Sequence, residues 1–122
     1  MHSFWEVKLQ SVEELEELAE NGDIEAKREL ARNLMDYDFL KEDEKQAIAL
    51  LEDCVVHGDA EAMLMLAQCC AIGRGIEYDA VRAEALISQA AEKGNDEALS
   101  LMKFINEWKG YDFVYLSGLD GL

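Results

Sequence analysis

His57-Gly58-Asp59-Ala60-Glu61-Ala62 is the middle copy of a phrase that occurs three times. Asn21-Gly22-Asp23-Ile24-Glu25-Ala26 stands 36 residues before it, and Lys93-Gly94-Asn95-Asp96-Glu97-Ala98 stands 36 residues after it. Working outward at the same step, Leu15, Leu51 and Ile87 share a column, as do Ala47 and Ala83, Asp43 and Asp79, and Ala31 and Ala67. So many matched columns at one fixed step mark a repeat architecture.

Each copy reads as the junction of two helices. Glycine supplies the left-handed residue that ends one helix, and the following Asp or Asn caps the next. Ser11-Val12-Glu13-Glu14 has the form of a capping box, and Asp43-Glu44-Lys45-Gln46 is its near relative. These signals predict helices over 11–21, 24–36, 43–57, 60–72, 79–93 and 96–109. Within 43–57, Ala47, Leu50, Leu51, Cys54 and Val55 recur at helical spacing, with Glu44, Lys45, Glu52 and Asp53 mostly opposite. The 60–72 segment is apolar nearly all round, as a helix covered on both sides should be. Helix pairs at this period cannot bury their apolar stripes alone, so they stack. The predicted fold is an all-α, short right-handed solenoid with about six helices. It is divided as a half repeat at 11–21, repeats at 22–57 and 58–93, a half repeat at 94–109 and a cap at 110–122, within one domain spanning 1–122.

Composition narrows the function. The 122 residues hold 27 acidic and 11 basic side chains, a net charge of −16, with 50% hydrophobic residues and no proline. A surface for nucleic acid needs clustered Lys and Arg, and anionic membranes repel such a chain. The apolar content argues against acidic disorder. Residues 1–8 lack a basic region followed by an apolar stretch, so no secretory signal is expected. The run 60–72 is too short to span a bilayer. Three cysteines, two of them vicinal, fit a reduced, cytoplasmic compartment.

The segment from Gly58 to Gly94 resembles the Sel-one-like repeat, a relative of the tetratricopeptide repeat. The resemblance is carried by Gly58-Asp59-Ala60-Glu61-Ala62, Leu66-Ala67, Gly73-Arg74-Gly75-Ile76, Asp79, Ala83 and Ala90-Ala91-Glu92-Lys93-Gly94. With flanking half repeats it covers roughly 11–109. The first unit departs from it, with Tyr37-Asp38-Phe39 in place of Gly73-Arg74-Gly75. Leu86-Ile87 and Cys70 stand where the family has aromatics. The resemblance implies an adaptor or scaffold that binds proteins without catalysis.

No residue set supports chemistry. Cys54, His57, Cys69 and Cys70 can be written as a zinc set, yet Cys54 shares the column of Leu18 and Ala90, and Cys70 that of Leu34, both core columns. Adjacent cysteines on a helix diverge by about 100°. His57 reads as a helix C-terminal cation, not a base. Counting from Asp36, the calcium-loop positions for Gly and Glu hold Lys41 and Ala47. Gly73-Arg74-Gly75 lacks the phosphate-loop pattern. The Glu13–Glu20 run reads as a solvated helix face, and no carboxylate pair is singled out for glycoside chemistry. Neither metal, cofactor nor catalytic residue is expected, and the chain is not expected to be an enzyme.

Partner binding is expected on the first helix of each pair. At 100° per residue, Glu25, Glu29, Arg32 and Asp36 fall on the outward stripe of 24–36, then Glu61, Met65 and Gln68, then Glu97, Leu101, Phe104 and Trp108. The column Glu25/Glu61/Glu97 also suits helix first turns, where acids favour the dipole. Residues 1–61 carry 18 acids and 6 bases, whereas 62–122 carry 9 and 5. The expected groove is acidic towards the amino-terminal end and apolar towards the other. Such a field speeds encounter with a basic protein. A protein partner of basic character follows, with no nucleic acid, no membrane and a monomer when free. One such partner is a cationic toxin or nuclease domain, neutralised in the manner of an immunity protein; the other reading is an adaptor in a regulatory complex. The apolar tail from Tyr111 to Leu119 is expected to fold back over Phe104 and Trp108. Trp5-Val7-Leu9 alternates with charges, as a short strand or extended cap would.

Overall fold

The computed structural model describes residues 12–36 and 41–107. Six helices follow one another there: α1 Val12–Glu20, α2 Ile24–Asp36, α3 Lys41–Val56, α4 Ala60–Ile72, α5 Ala80–Glu92 and α6 over 96–107. No strand occurs among the described residues. The expected cap at 110–122, the loop at 37–39, Trp108, Ser11 and the Trp5 segment lie outside the described residues.

The repeated phrase makes the same turn each time. Gly22, Gly58 and Gly94 take φ of +92°, +84° and +85°. In each, the glycine N–H donates to the carbonyl three residues back, at Ala19, Val55 or Ala91. The following Asp or Asn N–H donates to Leu18, Cys54 or Ala90, five residues back. These two bonds close carbonyls that a helix end leaves unpaired. Asp23 then caps α2 by accepting from the Ala26 N–H at 2.9 Å, and Asn95 caps α6 from Ala98 at 2.9 Å.

Two expected caps turn out differently. Asp59 precedes α4 in extended geometry but makes no side-chain cap bond. Its carboxylate accepts from Arg28 instead, and a charge-assisted bond to a half-buried guanidinium outcompetes one to a peptide N–H. Asp43 does not start α3, which begins at Lys41 and places Asp43 inside its first turn. An acid there still meets the positive end of the dipole. Asp79 does cap α5, accepting from the Arg82 N–H at 2.9 Å.

Each helix from α1 to α4 packs on its successor. The main core runs from Ala31 to Ala98, with Leu51, Leu66, Cys54 and Cys70 fully buried in it. A smaller cluster of Leu15, Ala19, Ala26 and Leu30 joins α1 to α2, and Leu34 and Leu50 touch both clusters. The core is thus continuous along the stack. α4 buries seven of its 13 residues, among them Leu64, Leu66 and Cys69. Such coverage requires neighbours on more than one side, and α3 and α5 supply them. The α4–α5 connection presses into α3: at Gly75, φ +72°, an added Cβ would sit 3.0 Å from the Glu44 carbonyl oxygen and from Ile48 Cγ1.

Candidate functional site: the groove over α4

Contacts between α2 and α4 occur in a parallel order. Arg28 meets Asp59 and Glu61, Arg32 meets Met65, and the Cys69 thiol lies 4.0 Å from Met35 Sδ. The two helices therefore run side by side in the same direction and leave a channel along their outer faces. That channel is a groove of about 530 Å³ with α4 as its floor. Arg32, Met35 and Asp36 of α2 form one wall, Asn95 and Glu97 form the other, and Arg74 closes one end. Leu64, Met65, Cys69 and Ile72 give the floor its apolar character, and Ile72 is 72% exposed.

Six residues expected from the sequence are brought together here: Arg32, Asp36, Glu61, Met65, Gln68 and Glu97. Glu25 and Glu29 are not among its lining; they border a smaller hollow with Leu15, Leu18, Asp23 and Ala26. Phe104 is 63% exposed outside the groove, and Trp108 lies outside the described residues.

Two arginines that sequence reasoning passed over organise the charge. Arg28 Nη1 donates to both oxygens of Asp59 at 3.0 Å, and Glu61 Oε2 lies 3.2 Å from its Nε. Glu29 and Glu25 complete the surround at 3.6 and 3.8 Å. Burial works against this cation, yet the Asp59 bond and the carboxylate field outweigh it and raise its pKa above the ordinary arginine value. Arg74 donates to the Met35 carbonyl and lies 3.4 Å from Glu44, tying the loop to α2 and α3. One signal was available in the sequence for Arg28. At the 36-residue step it shares a column with Leu64 and Ser100, so a long cation there needs a dedicated acid.

The cysteines belong to the core. Cys54 and Cys70 are fully buried and Cys69 nearly so; burial pushes the Cys54 and Cys69 thiols up to about 11. Thiols held protonated are poor nucleophiles and poor metal ligands. Among the described residues no three His, Cys, Asp or Glu side chains gather as a metal set. His57 lies just beyond α3, with Nδ1 2.9 Å from the Asp53 carbonyl. No described helix is long and apolar enough to cross a membrane.

No family model and no curated protein matches the sequence, but solved structures do. A Sel1 repeat protein from Oxalobacter formigenes superposes with a TM-score of 0.65 at 31% identity, over 74% of this chain and 36% of that one. The chain is a Sel1-like repeat protein. The Sel1-like fold is shared with a protective antigen of uropathogenic Escherichia coli strains, described as displaying an SLR fold. There the TM-score is 0.68 at 24% identity, over 71% of this chain and 18% of that one. Helicobacter pylori cysteine rich protein B gives 0.66 at 18% identity, over 74% of this chain and 68% of that one. The Sel1-like chain thus spans about a fifth and about a third of the length of the first two structures.

Proposed function

We propose that this Sel1-like solenoid is a non-enzymatic protein-interaction module that engages a basic partner protein through the α4 groove. One observation carries the reading: an open, partly apolar floor, ending in the exposed Ile72, is rimmed by the carboxylates of Asp36, Glu61 and Glu97. An apolar floor supplies affinity on desolvation, and the acidic rim selects by charge. The net charge of −16 extends that selection into encounter rate. Catalysis has no comparable support, since the groove offers no nucleophile beside a base.

The charge favours a cationic domain as partner, such as a toxin or nuclease neutralised in the manner of an immunity protein. The second reading, an adaptor in a regulatory complex, draws support from Arg32 and Arg74, which give the groove mixed charge. Affinity capture from the source cells tests both. Salt-sensitive recovery of one basic protein, lost when Asp36 and Glu97 are changed to lysine, is the expected result. Recovery unchanged by those two reversals would sink the groove reading. A secreted toxin encoded beside this chain would favour immunity, and a regulatory gene cluster would favour the adaptor.

A further inference from the structure

The groove's carboxylates are not equivalent. Glu61 faces Arg28 at 3.2 Å and Arg32 at 3.7 Å, and Arg32 is also paired with Glu29. Arg74 is taken up by Glu44 and the Met35 carbonyl. Arg32 and Arg74, the guanidiniums of the groove, are thus ion-paired within the chain, and so is Glu61. Among the described residues no ion pair or hydrogen bond holds the carboxylate of Asp36 or of Glu97. Both are exposed. After internal neutralisation the groove keeps two negative charges, one on each wall.

The walls set the distance between them. Asp36 is the last residue of α2 and Glu97 lies in the first turn of α6, with the floor helix α4 between. Two packed interhelical spacings of 8–10 Å, with an offset on the order of 10 Å along the helix axes, place them roughly 19–23 Å apart. One cation cannot serve both. An extended chain rises about 3.3 Å per residue, so two basic residues about six or seven positions apart fit that span. Between them the floor offers Leu64, Met65 and Ile72, an apolar seat with no charge of its own.

We infer that the groove takes an extended segment of a partner protein with two basic residues about six or seven positions apart and an apolar residue between them. One cation pairs with Asp36 and the other with Glu97, while the apolar side chain rests on Met65 and Ile72. This rests on the protein-binding reading above and adds the chemistry of the bound segment. The chain's own segment from Tyr111 to Leu119 does not fit, since it contains Asp112 and no lysine or arginine.

The test uses the full chain and a dye-labelled peptide, Lys-Ala-Ala-Leu-Ala-Ala-Lys, followed by fluorescence anisotropy at low salt. Asp36→Asn and Glu97→Gln are each expected to raise Kd about threefold to fivefold, the scale of an exposed ion pair. Replacing the peptide's leucine by serine is expected to raise it about tenfold. Glu16→Gln, on α1 away from the groove, lowers the net charge equally and is expected to change nothing. Binding that is undetectable, or no tighter than that of the same peptide ending in glutamates, overturns the inference. So does an equal effect of Glu16→Gln and Glu97→Gln. If the basic partner is still captured in those cases, the inference fails and the protein-binding function stands.

Discussion

Arg28 and Asp59 face each other across α2 and the start of α4, joined by two hydrogen bonds of 3.0 Å, with only 14% and 15% of their side chains exposed. The pair links two consecutive repeat units and sits beside the groove's Glu61. It is the place where the repeat breaks its own rule, since Asp59 gives up the capping bond that Asp23 and Asn95 make.

The two halves of that pair should differ in how much they stabilise the fold. Asp59→Asn leaves Arg28 with Glu61, Glu29 and Glu25 within 4 Å, and a neutral amide can still accept. Arg28→Met leaves Asp59 and Glu25 without this cation and Glu29 and Glu61 with Arg32 alone, around an uncharged side chain. Breaking a buried pair from the side that leaves like charges together costs most. We expect Arg28→Met to lose about 2–4 kcal/mol and Asp59→Asn about 1 kcal/mol. Urea denaturation at pH 7 measures both, and a larger loss for Asp59→Asn would refute the ranking.

The fold was legible because its information is local and repeated. Gly22, Gly58 and Gly94 announce left-handed turns, and the residues after them announce the next helix. Columns such as Ala31/Ala67 and Ala47/Ala83, found by counting, are buried in space. α3 starts two residues before Asp43, because the capping signature there works equally well inside a first turn. The groove was half legible. Helix projection finds Glu61, Met65 and Gln68, since they lie on one helix. It cannot find Met35, Arg74 or Asn95, whose presence depends on how neighbouring helices and a loop are set. Nor does it tell which acids are already neutralised; that depends on Arg28 reaching 31 residues along the chain to Asp59.

The acid limb of stability should be sensitive to Asp53. Its carboxylate accepts a hydrogen bond from Lys27, which with the charges of Lys27 and His57 holds its pKa below the ordinary 3.8 despite some burial. A lowered folded-state pKa stabilises the fold above the unfolded value, and that contribution is lost as pH falls through the folded one. Asp53→Asn should therefore lower the urea midpoint at pH 7, and the gap to the parent should close below about pH 4. The comparison isolates Asp53 from the general relief of charge repulsion that both chains share on acidification. A gap that persists unchanged at pH 2 would contradict the assignment.

Gly75 and Gly22 offer a matched comparison. Both have positive φ, +72° and +92°, so alanine at either pays the left-handed penalty of about 1–2 kcal/mol. At Gly22 nothing lies within 4 Å of an added Cβ. At Gly75 the Cβ would meet Glu44 Cβ, the Glu44 carbonyl oxygen and Ile48 Cγ1, each at 3.0 Å. Two of these contacts belong to the helix itself and cannot swing aside. Gly75→Ala should therefore cost at least about 1 kcal/mol more than Gly22→Ala, the scale of overpacking. It should also disturb Arg74, the neighbour that closes the groove. Equal midpoints for the two variants would show that the loop yields freely.

The thiols provide the last check, on the continuity of the core. Cys54, Cys69 and Cys70 come from α3 and α4, and burial raises the pKa of all three, to about 11 for Cys54 and Cys69. A thiol reagent attacks thiolate, which at pH 8 is then on the order of a thousandth of the Cys54 and Cys69 populations, and access to all three is blocked as well. All three should stay unmodified in the folded chain at pH 8 and react together once urea opens it. Reaction of Cys69 alone would mean that the groove floor opens locally between Met35 and Ile72 while α3 and α4 stay packed. Simultaneous, slow labelling at the rate of global unfolding is what one uninterrupted core from Ala31 to Ala98 requires.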